Sequence, residues 1–257
     1  MSRGASHSQP RARHLAVLAA STDNGASFRS LASSMNRMHL LDTAPIPGGG
    51  ELRLFQCGDI YTIKIAGGGE LMNSQVRESE KALARLPCER IARRPSARVL
   101  VGGLGMGFTL AEALSVLPQD AQVVVAELVP AVVEWNRHVF GEKAGHPLRD
   151  PRTRVVVDDV AQVLKANVRG FDAILLDVDN GPEGLTLAAN DKLYSELGLL
   201  SAIGALKAGG ILAVWSAAPA PFFTRRLHQS GLHVEEHIVR ARPNGRGERH
   251  MIWLASK

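Results

Sequence analysis

Glu127, Asp159, Asp177 and Asp179 each end or follow an apolar run, and their type and position could do chemistry. A carboxylate at the end of a buried strand can accept hydrogen bonds from hydroxyls or amino groups, or take a proton from an amine. Gly103, Gly105 and Gly107 supply a second ingredient. They lie between the apolar run Val99-Leu100-Val101 and a helix-like run that starts at Phe108. Backbone N–H groups in such a turn can closely approach a ligand. The next apolar run, Gln122 to Ala126, closes on Glu127. An acid about twenty residues past a glycine turn is placed to accept from both hydroxyls of a ribose. Together the two features read as a nucleoside-cofactor site.

The elements that position these groups form an alternating series. A pyrophosphate cradle requires a G-x-G-x-x-G frame, and neither Gly103-Leu104-Gly105 nor Gly105-Met106-Gly107 supplies its third glycine. S-adenosylmethionine is therefore expected rather than a dinucleotide. Asp150-Pro151-Arg152 leads into a strand at Arg154 to Val157 that ends at Asp158-Asp159. A carboxylate there, Asp159 or its neighbour, could accept the adenine amino group or cap the next helix. Phe171 to Leu176 is a further strand, with Asp177 at its carboxyl end. Doubly wound sheets place their chemistry at such ends.

These segments, from roughly Glu51 to Ala218, resemble the spermidine synthase family, a branch of the methyltransferase-fold superfamily. The resemblance implies a glycine motif at Gly103 to Gly107, a ribose-binding Glu127 and an adenine-contacting Asp159. It implies that Asp177 binds and deprotonates an amine, and that the second acid of the same loop is Asp179 or absent. Leu71 to Gln75 and Ser79 to Ala84 are similar to the family's substrate gate, which makes Gln75 a cofactor-binding candidate and adds Glu80. Two departures stand out. Met106 occupies the place of the aspartate that holds the amine of decarboxylated S-adenosylmethionine, and Gly105-Met106-Gly107-Phe108-Thr109-Leu110 is similar to the corresponding run of putrescine N-methyltransferases. The loop Asp177-Val178-Asp179-Asn180-Gly181-Pro182 is shortened. An apolar side chain cannot pair with an ammonium. The expectation is therefore methyl transfer from S-adenosylmethionine to an amine or other small nucleophile. The alternatives are aminopropyl transfer from decarboxylated S-adenosylmethionine to a polyamine and a non-catalytic scaffold.

The chain has 257 residues and 45% hydrophobic content, enough for one enzyme unit with a small appendage. Its formal net charge of +5 is concentrated in residues 1–37, where Arg3, Arg11, Arg13, Arg29 and Arg37 face Asp23 alone. That Ser- and Arg-rich stretch reads as a disordered tail or upstream extension, with a transit peptide as the alternative. Nucleic-acid binding is not expected, because only Phe28 interleaves with the arginines. Cys57 and Cys88 lack metal-ligand spacing and imply a reducing compartment. No uninterrupted apolar run has membrane-spanning length.

The expected architecture is α/β, a doubly wound methyltransferase-type sheet with an N-terminal β-hairpin appendage. Residues 1–45 are the tail, 46–94 the hairpin and gate, and 95–257 the Rossmann-like S-adenosylmethionine domain. A cytoplasmic homodimer is expected, acting on a small-molecule amine without metal, nucleic acid or membrane.

Overall fold

The computed structural model describes residues 37–178, 181–182 and 191–257. Two sheets build the molecule. The smaller is antiparallel, in the order β1 (His39–Pro45), β2 (Glu51–Cys57), β3 (Ile60–Ile65) and β4 (Glu70–Asn73). The expected hairpin is its central pair, in register from Leu52 opposite Ile65 to Cys57 opposite Ile60. The sheet is larger than expected because part of the presumed tail, His39–Pro45, pairs with β2. Ala44 and Ile46 are buried there. Burying these residues favours order that the polar composition upstream does not suggest.

The larger sheet has seven strands in the order β10-β11-β9-β8-β5-β6-β7. They are β5 (Arg98–Gly102), β6 (Gln122–Glu127), β7 (Thr153–Val157), β8 (Phe171–Leu176), β9 (Leu206–Ser216), β10 (His233–Arg242) and β11 (Arg246–Ser256). β7, β6, β5, β8 and β9 run parallel, and the terminal hairpin β10–β11 joins β9 antiparallel. Both faces are covered. Val99 and Val101 of β5 point into one core with Leu110 and Leu83, while Leu100 points into another with Ile174 and Leu164. This two-sided burial explains the near-continuous apolar runs.

Helices follow the strands as the series requires. They are α1 (Glu78–Ile91), α2 (Phe108–Val116), α3 (Pro130–His138), α4 (Val160–Ala166), α5 (Asp191–Tyr194), α6 (Glu196–Ala205) and α7 (Pro221–Gln229). The expected boundary after residue 94 places α1 with the appendage. In the structure α1 packs on α2 and on β8 to β11, and residues 38–257 form one compact unit. Leu83, Ala84, Cys88 and Ile91 bury its inner stripe against the same core that receives Leu54 and Ile63 of the small sheet. No helix among the described residues is long and apolar enough to cross a membrane.

The chain order reverses at β5, with β6 on one side and β8 on the other. Outside the carboxyl ends of such a pair the following loops diverge and leave a crevice. Gly103 follows β5 and Asp177 follows β8.

Candidate active site

The crevice holds a cleft with about 100 Å³ of space open to a water-sized group. Gly103, Gly105, Glu127, Asp159 and Asp177 line its floor, and Ile46, Leu52, Ile63, Ile65, Leu71 and Met72 of the small sheet close it from above. Five of the expected site residues therefore converge on one cavity. The apolar roof was not anticipated. Its positions Leu52, Ile63 and Ile65 were legible as strand, but not as a cover over the cleft.

Three glycines in left-handed geometry shape the turn, with φ of 89° at Gly103, 51° at Gly105 and 82° at Gly107. Space is short as well. A Cβ on Gly105 would stand 3.1 Å from Met72 Sδ, and one on Gly107 would stand 2.9 Å from Asn136 Oδ1. Asn136 Nδ2 donates to the Gly105 carbonyl at 2.8 Å and so ties the turn to α3. Gly107 precedes α2 and serves packing, without lining the cleft.

Most N–H groups of the turn are already engaged. Gly103 N donates to the Ala126 carbonyl at 2.9 Å, and Gly107 N to the Leu104 carbonyl at 2.8 Å. Leu104 N donates to Glu127 Oε2 at 3.0 Å, and Val129 N to Glu127 Oε1 at 2.8 Å. Glu127 is buried, which raises its pKa, and these amides offset part of the shift. The amides of Gly105 and Leu128 also act on this carboxylate and lower its pKa.

Asp159 caps α4, its Oδ1 accepting from Ala161 N at 2.7 Å, while the residue also lines the cleft. Of the two roles weighed for it, the structure shows the cap. Gln75 is exposed and does not line the cleft, so a cofactor-binding role has no geometric support. Asp179 lies outside the described residues.

Asp177 is the centre of the site. Its carboxyl is turned inward, and Thr109 Oγ1 donates to its Oδ2 at 2.5 Å. Burial pushes its pKa up to about 6, and the Thr109 hydroxyl counteracts this. Glu80, in the first turn of α1, is raised well above the ordinary carboxylate range, by burial first and by the charge of Asp177 second. Thr109 was visible as part of a motif, but its partnership with Asp177, 68 residues away, was not.

Met106 does not face this cleft. It is 3% exposed, part of the core, and absent from the lining. The counter-charge argument drawn from its type therefore lacks a geometric basis. The free amides invoked for a donor carboxylate are also largely spent within the turn.

Comparison with known proteins agrees with this geometry. Residues 65–234 match the family described as spermine/spermidine synthase domain. The chain belongs to this family. A polyamine aminopropyltransferase of Mycobacterium tuberculosis is 35% identical over 124 residues, covering 47% of this chain and 23% of that protein. One from Prochlorococcus marinus is 28% identical over 135 residues, covering 52% of this chain and 45% of that protein. The matched segment thus spans less than half the length of these curated relatives. Two solved structures share the fold. They are a spermidine synthase in complex with the transition state analogue AdoDATO and the spermidine synthase of Thermotoga maritima. Their TM-scores are 0.66 and 0.65, at 19% and 20% identity, and both alignments cover 85% of this chain and 72% of the other. Methyl transfer from S-adenosylmethionine, expected from Met106, is overturned by these relatives, whose names are those of aminopropyltransferases and spermidine synthases.

Proposed function

We propose that the protein transfers an aminopropyl group from decarboxylated S-adenosylmethionine to an amine. The observation that carries this reading is the buried carboxyl of Asp177, raised to about 6, in the wall of a cleft that Glu127 and Asp159 also line. The named aminopropyltransferase relatives support the same direction.

The residues present fit this donor. Glu127 would hold the ribose, Asp159 the adenine amino group, and the Leu52–Ile63 roof the apolar face of the adenine. When bound, the donor supplies an electrophilic carbon next to a sulfonium. Asp177 first takes a proton from the acceptor ammonium and leaves a neutral amine. The amine nitrogen then forms a bond to that carbon as the C–S bond breaks, and the electron pair stays on sulfur as a thioether. A base with a pKa near 6 is ionised at neutral pH yet more basic than an ordinary carboxylate. The apolar roof excludes water and lowers the cost of deprotonating an ammonium.

Product analysis tests this reading. Incubation with decarboxylated S-adenosylmethionine and 1,4-diaminobutane should yield an aminopropylated amine and methylthioadenosine. A methylated amine from S-adenosylmethionine, with no aminopropylated product, would overturn it.

A further inference from the structure

We propose that the free end of the β10–β11 hairpin docks onto double-stranded DNA and holds its phosphate backbone with arginine side chains. The surface lies outside the cleft, and the inference does not depend on the transfer reading.

Strand pairing assembles this surface. Arg240 stands directly opposite Arg249, and Arg242 directly opposite Arg246. All four are exposed. Glu248, the one acid between Arg240 and Arg249, reaches instead toward His250, with its Oε2 4.0 Å from Nε2. Like charges directly opposite each other in an antiparallel pair are destabilising. Two such pairs in one hairpin oppose folding of the free protein, and an anionic partner relieves the repulsion. Nucleic-acid binding was not expected from the arginines of residues 1–37; these four come together only in the folded hairpin.

The local backbone seats the arginines side by side. Gly247 has a φ of 86°, and a Cβ there would stand 3.0 Å from Arg242 Cγ. The Gly247 carbonyl accepts from Arg240 Nη1 at 3.0 Å. A glycine at this point lets both arginine stems close over one stretch of β11. Pairing with β9 ends at Met251, opposite Ser216. From Arg240 to Arg249 the hairpin is thus a two-stranded ribbon that overhangs the carboxyl end of β9.

Shape and side-chain type select the partner. Paired strands lie roughly 5 Å apart, and the major groove of B-form DNA, about 12 Å wide, admits a two-stranded ribbon. Arginine rather than lysine supplies every cation of the ribbon, and its planar fork grips a phosphate through two parallel N–H bonds. Arg242 to Arg249 includes no aromatic or branched aliphatic residue that could insert into a lipid surface. The formal net charge of +5 resides mainly in residues 1–37, so the four arginines form a local positive field on a nearly balanced body.

The test is fluorescence anisotropy of a labelled DNA duplex of about twenty base pairs with the full chain, read between about 50 and 200 mM salt. The joint variant Arg240→Gln and Arg249→Gln should bind at least about tenfold more weakly. Its slope of log K against log salt should shrink in magnitude by roughly 1.8, the share of two phosphate contacts. Arg240→Lys with Arg249→Lys should keep the slope. The melting temperature of the glutamine variant should hold or rise, since opposed charges have been removed. The same loss should appear when the arginines of residues 1–37 are all replaced by glutamine. The proposal is overturned if the unmodified protein binds no duplex, if the glutamine hairpin variant binds it equally well, or if binding depends only on the arginines of residues 1–37. It is also overturned if binding falls only together with melting temperature, or if phosphatidylserine vesicles or polyglutamate compete as well as unlabelled duplex at equal charge.

Discussion

A Cβ placed on Gly103 would lie 2.2 Å from the carbonyl oxygen of Asp177. The glycine turn after β5 and the acid after β8 thus pack backbone to backbone, and Asp177 N also donates to the Gly102 carbonyl at 2.8 Å. The glycine turn and the proposed catalytic base meet in one close-packed junction. A residue larger than glycine cannot enter it without moving Asp177.

Gly103→Ala should therefore lower turnover by roughly 100-fold or more and destabilise the fold by on the order of 2–4 kcal/mol. Gly145→Ala is the control. Its φ is 73° and no atom lies within 4 Å, so only the backbone strain of about 1–2 kcal/mol applies. Thermal melting of the two variants should separate clash from strain. Equal losses would remove the junction argument.

Asp177→Asn keeps the shape and removes the base. Turnover should fall at least about 100-fold at neutral pH, with methylthioadenosine binding retained. Stability should move the other way. The folded pKa of Asp177 is raised from 3.8 to about 6, so between those values the folded state holds more protons than the unfolded state. Its contribution is lost as pH rises through that window. At pH 8 Asp177→Asn should thus be more stable than the unmodified protein, by on the order of 1–2 kcal/mol, with the advantage fading toward pH 4. Denaturant melts at both pH values measure this directly, and a variant less stable at pH 8 would contradict the assigned shift.

Thr109→Val removes the hydroxyl that lowers the Asp177 pKa. The acidic limb of kcat/KM, expected near pH 6 in the unmodified enzyme, should move to higher pH. Thr109→Ser should restore it. A limb that stays in place in Thr109→Val would show that Asp177 is not the group titrating in the profile.

Glu127→Ala should weaken methylthioadenosine by about 10- to 150-fold, the equivalent of roughly 1.5–3 kcal/mol for hydrogen bonds to a charged group. Leu104 N and Val129 N lose their acceptor in the same variant. Glu127→Gln therefore serves as a second probe that keeps an acceptor for one of them. Calorimetry with unchanged affinity in both variants would remove Glu127 from the site.

Local pattern sufficed for the larger sheet and its acids. Val99, Leu100 and Val101 are apolar on both faces because helices cover both, and that burial is written into consecutive residues. Glu127 and Asp177 stand at strand ends, so their places followed once the strands were read. The four-stranded sheet was only half legible. Strand β1 is held by pairing with β2 and by burial of Ala44, neither of which its exposed residues His39 to Thr43 announce.

The sequence by itself determined the order of the parallel strands of the larger sheet, the glycine turn and the acids at the ends of β6 and β8, because each depends on residues within a few positions of one another. Only the tertiary structure decided which side chains line the cleft. Met106 lies between two glycines of positive φ and turns into the core, whereas its type alone suggested a wall of the donor site. Glu80, on α1, joins Asp177 through Thr109 on α2, across three separate elements. Side-chain direction in such a turn follows from backbone dihedrals and packing against distant residues, and proximity across elements follows from how the sheet is wound. Neither is encoded in spacing along the chain.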